Sequence, residues 1–200
     1  MRLKIVQTGE KVLRQKARDL TADEIRGSTL RQIVEMMRET MRDAPGVGLA
    51  APQIGMALRM AVIEDREQYQ KILSPQQLVE RDRRPVPFHV IINPKISLVD
   101  PEDTDLFFEG CLSVAGFTAL VPRARRVTVD CLNEHGEAVR IEASGWYARI
   151  LQHEIDHLDG SLYIDRMNPR SFMTTDNFSR HWKDSTLAEV QSALGLSFAP

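Results

Sequence analysis

Ser144-Gly-Trp-Tyr-Ala-Arg-Ile-Leu-Gln-His-Glu-Ile-Asp-His-Leu-Asp-Gly160 is the stretch on which the reading of this chain turns. Its periodicity predicts a helix over roughly 145–158. Trp146, Tyr147, Ile150, Leu151, Ile155 and Leu158 cover most of the helix, while Arg149, Gln152, Asp156 and Asp159 form a polar stripe at i, i+3, i+7 and i+10. Within it stands His153-Glu154-x-x-His157, the HExxH pattern. Histidines four apart lie one turn over the other, close enough to hold a single cation. The intervening glutamate points about 100° away, so it does not ligate; it reaches a water at the metal and accepts its proton. Glu154 falls in the apolar arc between Ile150 and Leu158, where a carboxylate is costly to desolvate unless a partner offsets the loss.

A catalytic site of this kind takes three protein ligands and leaves one position open. Downstream of the motif the third is missing. The last histidine of an HExxHxxGxxH protease would stand at Tyr163, the later glutamate is the distant Glu189, and Asp165 follows closely in an apparent strand over 161–164. Upstream, Cys131 shares a strand face with Val127 and Val129 and reads as a small core hydrophobe. His89 lies in an apolar strand and His135 in a turn. Cys111, within Glu109-Gly110-Cys111-Leu112-Ser113, has a glycine beside it and a carboxylate nearby, and is the third ligand we select.

The rest of the chain reads as strands in series with separate helices, an α+β arrangement. An amphipathic helix is predicted over 22–43, with Asp23 near its start and Leu30, Ile33, Val34, Met37 and Met41 on one face. It stops at Pro45-Gly46-Val47-Gly48. Strands are predicted at 58–63 and 88–92, the second ended by Asn93-Pro94 with 96–99 continuing it or forming another. Between the two, residues 65–87 read as an exposed insertion loop. Residues 126–132 and 138–143 alternate as a hairpin around Asn133-Glu134-His135-Gly136, and a short helix is expected near 184–194.

With 200 residues the chain is long enough to bury its own core, and 42% hydrophobic with 27% charged residues argues against wholesale disorder. A formal net charge of −2 gives no support to a nucleic-acid-binding surface, and no apolar run is long enough to span a bilayer. Two cysteines make no disulfide framework and fit a reducing compartment. The first twenty residues carry six Lys or Arg but no serine and no apolar core of signal-peptide length, so a mature start is expected there.

Three separated segments resemble the signature motifs of the peptide deformylase family: Gly46-Val-Gly48-Leu-Ala50-Ala51-Pro-Gln53, Glu109-Gly-Cys-Leu-Ser113 and Gln152-His-Glu-Ile-Asp-His-Leu-Asp-Gly160. The likeness runs from Thr8-Gly-x-x-Val-Leu-Arg14 to about residue 170. It implies small antiparallel or mixed sheets packed around a central HExxH helix, with a catalytic domain over 1–170 and a C-terminal tail over 171–200. It implies a metal-dependent amidase that takes the formyl group from the formyl-methionine of a nascent chain, releasing formate and a free amine. By that resemblance Cys111, His153 and His157 bind the metal, and Glu154 is general base and then general acid. The Gln53 amide and the Leu112 backbone N–H serve the developing oxyanion, and Gly48 and Gly110 meet the substrate. Glu109 reads either as a group orienting a ligand or as a solvated loop charge. Arg149 and Asp156 read as structural ion-pair or orienting groups.

The family likeness implies one divalent ion per chain, Fe(II), although a thiolate with two imidazoles also suits Zn(II), Ni(II) or Co(II). N-formylmethionyl peptides and nascent chains are the expected partners, with transient proximity to the ribosome and no membrane. A bacterial cytoplasmic location is expected because the match begins close to Met1. Val114-Ala115-Gly116-Phe117 replaces the family's common Val-Pro-Gly, and with Ser144-Gly145-Trp146-Tyr147-Ala148-Arg149 and the 65–87 insertion it resembles the subclass that includes mitochondrial forms. The tail lacks a basic amphipathic helix, so ribosome docking through it is not expected. Internal peptide-bond cleavage and formyl-peptide binding without turnover are the competing readings. The missing downstream ligand argues against the first, and the intact ligands and base against the second.

Overall fold

The computed structural model describes residues 2–196. In chain order these form α1 (Ala22–Arg26), α2 (Ser28–Asp43), β1 (Gly48–Ala50), β2 (Met60–Asp65), α3 (Glu67–Gln70), α4 (Pro75–Glu80) and β3 (Val86–Leu98). They continue as β4 (Thr104–Cys111), β5 (Val114–Ala124), β6 (Arg126–Leu132), β7 (Ala138–Ser144), α5 (Gly145–Leu158), β8 (Met173–Thr174), α6 (Thr175–His181) and α7 (Leu187–Leu194). One antiparallel sheet has the order β1-β2-β3-β6-β7, and a smaller one β4-β5-β8.

The period-two alternation of β2 explains how the large sheet is covered on both faces. Ala61 and Ile63 turn toward α5, joining Val127, Val129 and Cys131 from β6 and Ile150, Leu151, Ile155 and Leu158 from the helix. Met60 and Val62 turn the other way and meet Leu30, Ile33, Val34, Met37 and Met41 of α2. Helix α5 packs against both sheets. The small sheet has its own core, in which Val114, Ala119 and Val121 meet Leu13, Leu162 and Tyr163.

Several expectations hold closely: α5, the β6–β7 hairpin, the core placement of Cys131 and the α7 helix. Others are corrected. The helix predicted over 22–43 is two helices broken at Gly27, whose extended backbone (φ −67°, ψ 148°) ends α1 and caps α2. The 65–87 segment is largely exposed as expected, but it is not a loop: it carries α3 and α4, with Pro75 in the first turn, where its missing N–H costs nothing. Its ends are tied together by buried Asp65, which accepts from Arg83 Nε at 2.8 Å and Nη2 at 3.0 Å. Asn93-Pro94 does not end β3 but bulges it. Asn93 adopts φ 50°, its amide bridges Leu20 N and O at 2.9 Å each, and the strand resumes in a shifted register. The apparent strand over 161–164 gives way to a 3-10 turn, Tyr163–Asp165.

Strand β5 and helix α6 had no predicted counterpart. The proposed start of the tail at residue 171 falls inside the packed structure. Ser171 is fully buried and its hydroxyl accepts from Leu120 N at 2.9 Å, β8 pairs with Phe117 and Thr118, and Phe178 packs on Phe108.

Candidate functional site

Three elements converge. Helix α5 presents His153, Glu154 and His157; the end of β4 delivers Glu109, Gly110 and Cys111; and β1 with the short 3-10 turn after it brings Gly48 and Gln53. The ligand atoms of Cys111, His153 and His157 lie within 4.8 Å of one another, with Cys111 Sγ 3.3 Å from His157 Nε2. One thiolate and two imidazoles at that spacing fit bonds of about 2.0–2.3 Å to one ion. His153 Nδ1 meets Glu109 Oε2 at 3.0 Å, which leaves its Nε2 for the metal. The donor set thus fits a divalent ion.

Glu154 is buried, and its Oε2 has no hydrogen-bond partner among the described residues. Burial lifts its carboxyl to about 7, with the charge of His153 acting against that rise. A carboxylate poised there is suited to take up and return a proton near neutral pH. It fits only because residue 48 is glycine: a Cβ on Gly48 would stand 2.2 Å from Glu154 Oε1. The close approach at Gly48 is therefore made by Glu154 itself, while Gly48 also borders the cavity. At Gly110 a Cβ would meet only Phe117 O at 3.6 Å.

Gln53 is 1% exposed. Its Oε1 accepts from Ala50 N at 2.9 Å, which turns its Nε2 toward Cys111 Sγ (3.5 Å) and Ser113 Oγ (3.3 Å). The amide is thereby aimed into the site as a donor. Leu112 O accepts from Gln7 Nε2 at 3.0 Å, and Ser113 N donates to Cys111 Sγ at 3.4 Å, so the turn after Cys111 is held from both sides.

Behind the ligands lies a buried ionic network. Glu109, one of the two open readings, is buried rather than solvated. It accepts from Arg123 at 2.9 and 3.0 Å and from Arg149 at 2.7 Å, in addition to its contact with His153. Burial works against its charge, but Arg123 and His153 outweigh that and hold its carboxyl well below the usual range. Asp156 pairs with Arg123 and takes two bonds from Arg166 at 2.7 Å. Burial opposes charging of His153, yet Cys111 and Glu109 raise its pKa; His157 is lowered by burial and then by His153. Arg123 and Arg166 were not among the candidates, because Arg123 sits on a strand that was not assigned and so had no predicted face.

Cys111, Leu112, His153, Glu154, Gln53, Gly48 and Gly110 all border one cavity of about 450 Å³; His157 stands behind Cys111. Asp165, the discarded downstream carboxylate, instead takes Leu162 N at 2.8 Å and pairs with Arg14.

A thiolate, two imidazoles, a buried base and an aimed amide donor on an α+β frame define a metal-dependent hydrolase of the HExxH kind. Residues 2–172 match the family model described as polypeptide deformylase. Peptide deformylase 3 of Streptomyces avermitilis is 45% identical over 98% of this chain and 84% of its own. Peptide deformylase 1A, chloroplastic, of Solanum lycopersicum is 49% identical over 86% of this chain, which spans 62% of that protein's length. Among solved structures, the Met-Ala-Ser-bound class I type b peptide deformylase of Acinetobacter baumannii superposes with a TM-score of 0.74 at 34% identity, covering 84% of this chain and 99% of that one. This chain belongs to the polypeptide deformylase family. Members of that family are metal-dependent hydrolases that remove N-formyl groups from newly made polypeptides.

Proposed function

We propose that this chain deformylates formyl-methionyl N-termini, with Cys111, His153 and His157 holding the ion and Glu154 moving the proton. The observation that carries this reading is the buried Glu154 carboxylate, with one oxygen free of any partner among the described residues, beside the three-ligand cluster. When bound, a divalent ion supplies the Lewis acidity that makes water nucleophilic near neutral pH. Glu154 accepts the water proton at a carboxylate oxygen and then returns it to the departing amine nitrogen. As charge develops on the formyl oxygen, the Gln53 Nε2–H and the Leu112 N–H donate to it. Gln53 is already locked for this by Ala50 N, so little reorganisation is needed. Gly110 leaves its backbone open along the cavity where the peptide lies, and Gly48 borders the same cavity while making room for Glu154.

Fe(II) is the ion we assign, from family likeness; the ligand types suit Zn(II), Ni(II) and Co(II) as well. The substrates are formyl-methionyl nascent chains met close to the ribosome, in the bacterial cytoplasm, a location supported by the bacterial relatives. No helix of the described residues is long and apolar enough to cross a membrane. The catalytic unit is the segment up to about residue 170, with the later residues buttressing the small sheet.

The test is formate release from formyl-Met-Ala-Ser by anaerobically purified, metal-quantified protein. Glu154→Gln is expected to keep its metal and lose roughly a thousandfold in rate. Unchanged turnover in metal-replete Glu154→Gln refutes the assigned role, and no release from wild type reloaded with iron or nickel refutes the activity.

A further inference from the structure

Phe108 has a second cavity on its other side, of about 270 Å³, between β4 and the C-terminal helices. Phe107, Phe108, Phe178 and Trp182 supply aromatic walls, and Arg81 and Lys183 supply cations. Arg81 is one of three guanidinia around the Trp146 ring, at 5.2 Å, with Arg83 at 5.1 Å and Arg149 at 5.8 Å. Arg83 is neutralised by Asp65 and Arg149 by Glu109. The Arg81 side chain has only the ring faces of Trp146 and Phe107, and no hydrogen bond or ion pair among the described residues.

A half-buried guanidinium that shares its surroundings with two other arginines feels the charge of Glu80 but is hydrogen-bonded to no carboxylate, so among the described residues no group takes its five donors. Glu80 also borders the cavity; its Oε1 accepts from Gln76 Nε2 at 3.0 Å, and it acts on Arg81 by charge without a hydrogen bond. Lys183 has only a loose partner, Asp184 at 4.0 Å. The chemistry that completes such a site is a planar anion for the guanidinium fork and an apolar body for the rings. The volume lies just under the roughly 300–1,000 Å³ usual for small-molecule pockets, so the occupant is small. We propose that this cavity is a binding site for a small carboxylate with an aromatic tail, its carboxylate seated on Arg81 and its ring among Phe107, Phe178 and Trp182.

Of the chain's two tryptophans, Trp182 lines this cavity, while Trp146 lies beneath Arg81 and borders the main cavity, so intrinsic fluorescence reads both and Met-Ala-Ser separates them. Wild-type protein is titrated with 4-phenylbutyrate and with its uncharged counterpart 4-phenylbutanol, each with and without excess Met-Ala-Ser in the main cavity. The expected result is a saturable change with the acid that survives Met-Ala-Ser. Binding should be at least about tenfold weaker for the alcohol and for Arg81→Gln, the loss expected of a charge-assisted hydrogen bond. No saturable change, an equal response to acid and alcohol, or displacement by Met-Ala-Ser overturns the proposal. Should Arg81→Gln fail to fold, the acid-against-alcohol comparison on wild type decides. The readout needs no turnover, so it stands apart from the deformylation test.

Discussion

At Gly48 a single missing methyl group decides whether the base can stand where it does. A Cβ there would lie 2.2 Å from Glu154 Oε1 and 2.5 Å from its Cδ, and neither atom belongs to a side chain free to swing away, since Glu154 is buried. Gly48→Ala is expected to displace the carboxylate and lower kcat by about a hundredfold while the metal stays bound. Full activity with a normal metal content would show that the carboxylate has room to spare. Glu109 is the second decisive residue, because it orients His153 and neutralises Arg123 and Arg149 together. Glu109→Gln should weaken metal retention about 10–100-fold in chelator competition. It should also destabilise the fold by about 3–5 kcal/mol, because buried Arg149 loses its charge partner and Arg123 is left with Asp156 alone. Unaltered retention would assign Glu109 to structure alone.

Among the elements, α5 joins the core to the chemistry. Its Leu151 and Ile155 pack on the large sheet while His153, Glu154 and His157 face the site, so the ligands inherit their positions from the packing. The Gln152 amide pairs with both Ala124 N (3.1 Å) and Ala124 O (2.8 Å), fastening the helix to β5. At its start, Gly145 takes φ +55° and its Cβ would fall 2.7 Å from Arg81 O, so only glycine brings the helix this close to the insertion. Leu151→Ala, at a fully buried position, should cost about 2–5 kcal/mol in urea unfolding. A cost under about 1 kcal/mol would mean that the helix can settle into the space.

On the scale of the whole molecule, ion pairs tie layers together. Arg42 on α2 gives Glu64 on β2 two bonds, 2.7 and 2.6 Å. Those bonds hold the Glu64 carboxyl below its usual range despite partial burial. A carboxyl lowered in the folded state contributes stability above its unfolded pKa of about 4.3, and that contribution fades as pH falls through the folded value. Glu64→Gln should therefore be less stable than wild type by on the order of 1 kcal/mol at pH 7, with the gap closing below about pH 4. Melting temperatures across pH check this, and a pH-independent gap would mean that Glu64 contributes by packing rather than by charge.

The sequence by itself determined α5, the histidine pair on it, the selection of Cys111 as the third proposed ligand and the core face of β6. Each of these is written in local periodicity or in a motif whose residue types have few other uses. Gly48 and Gln53 were legible only through resemblance to a family, since a Gly-x-Gly loop or a lone glutamine carries no chemistry of its own. What tertiary structure alone decided is what long-range contacts fix: Asn93 bridging Leu20 keeps β3 running past a proline, and Asp65 pairing with Arg83 folds the insertion down. Glu109 meets Arg123, Arg149 and His153 across three segments. A charge in a loop looks the same in sequence whether it faces water or three buried cationic groups. Only the packing that excludes the water distinguishes the two.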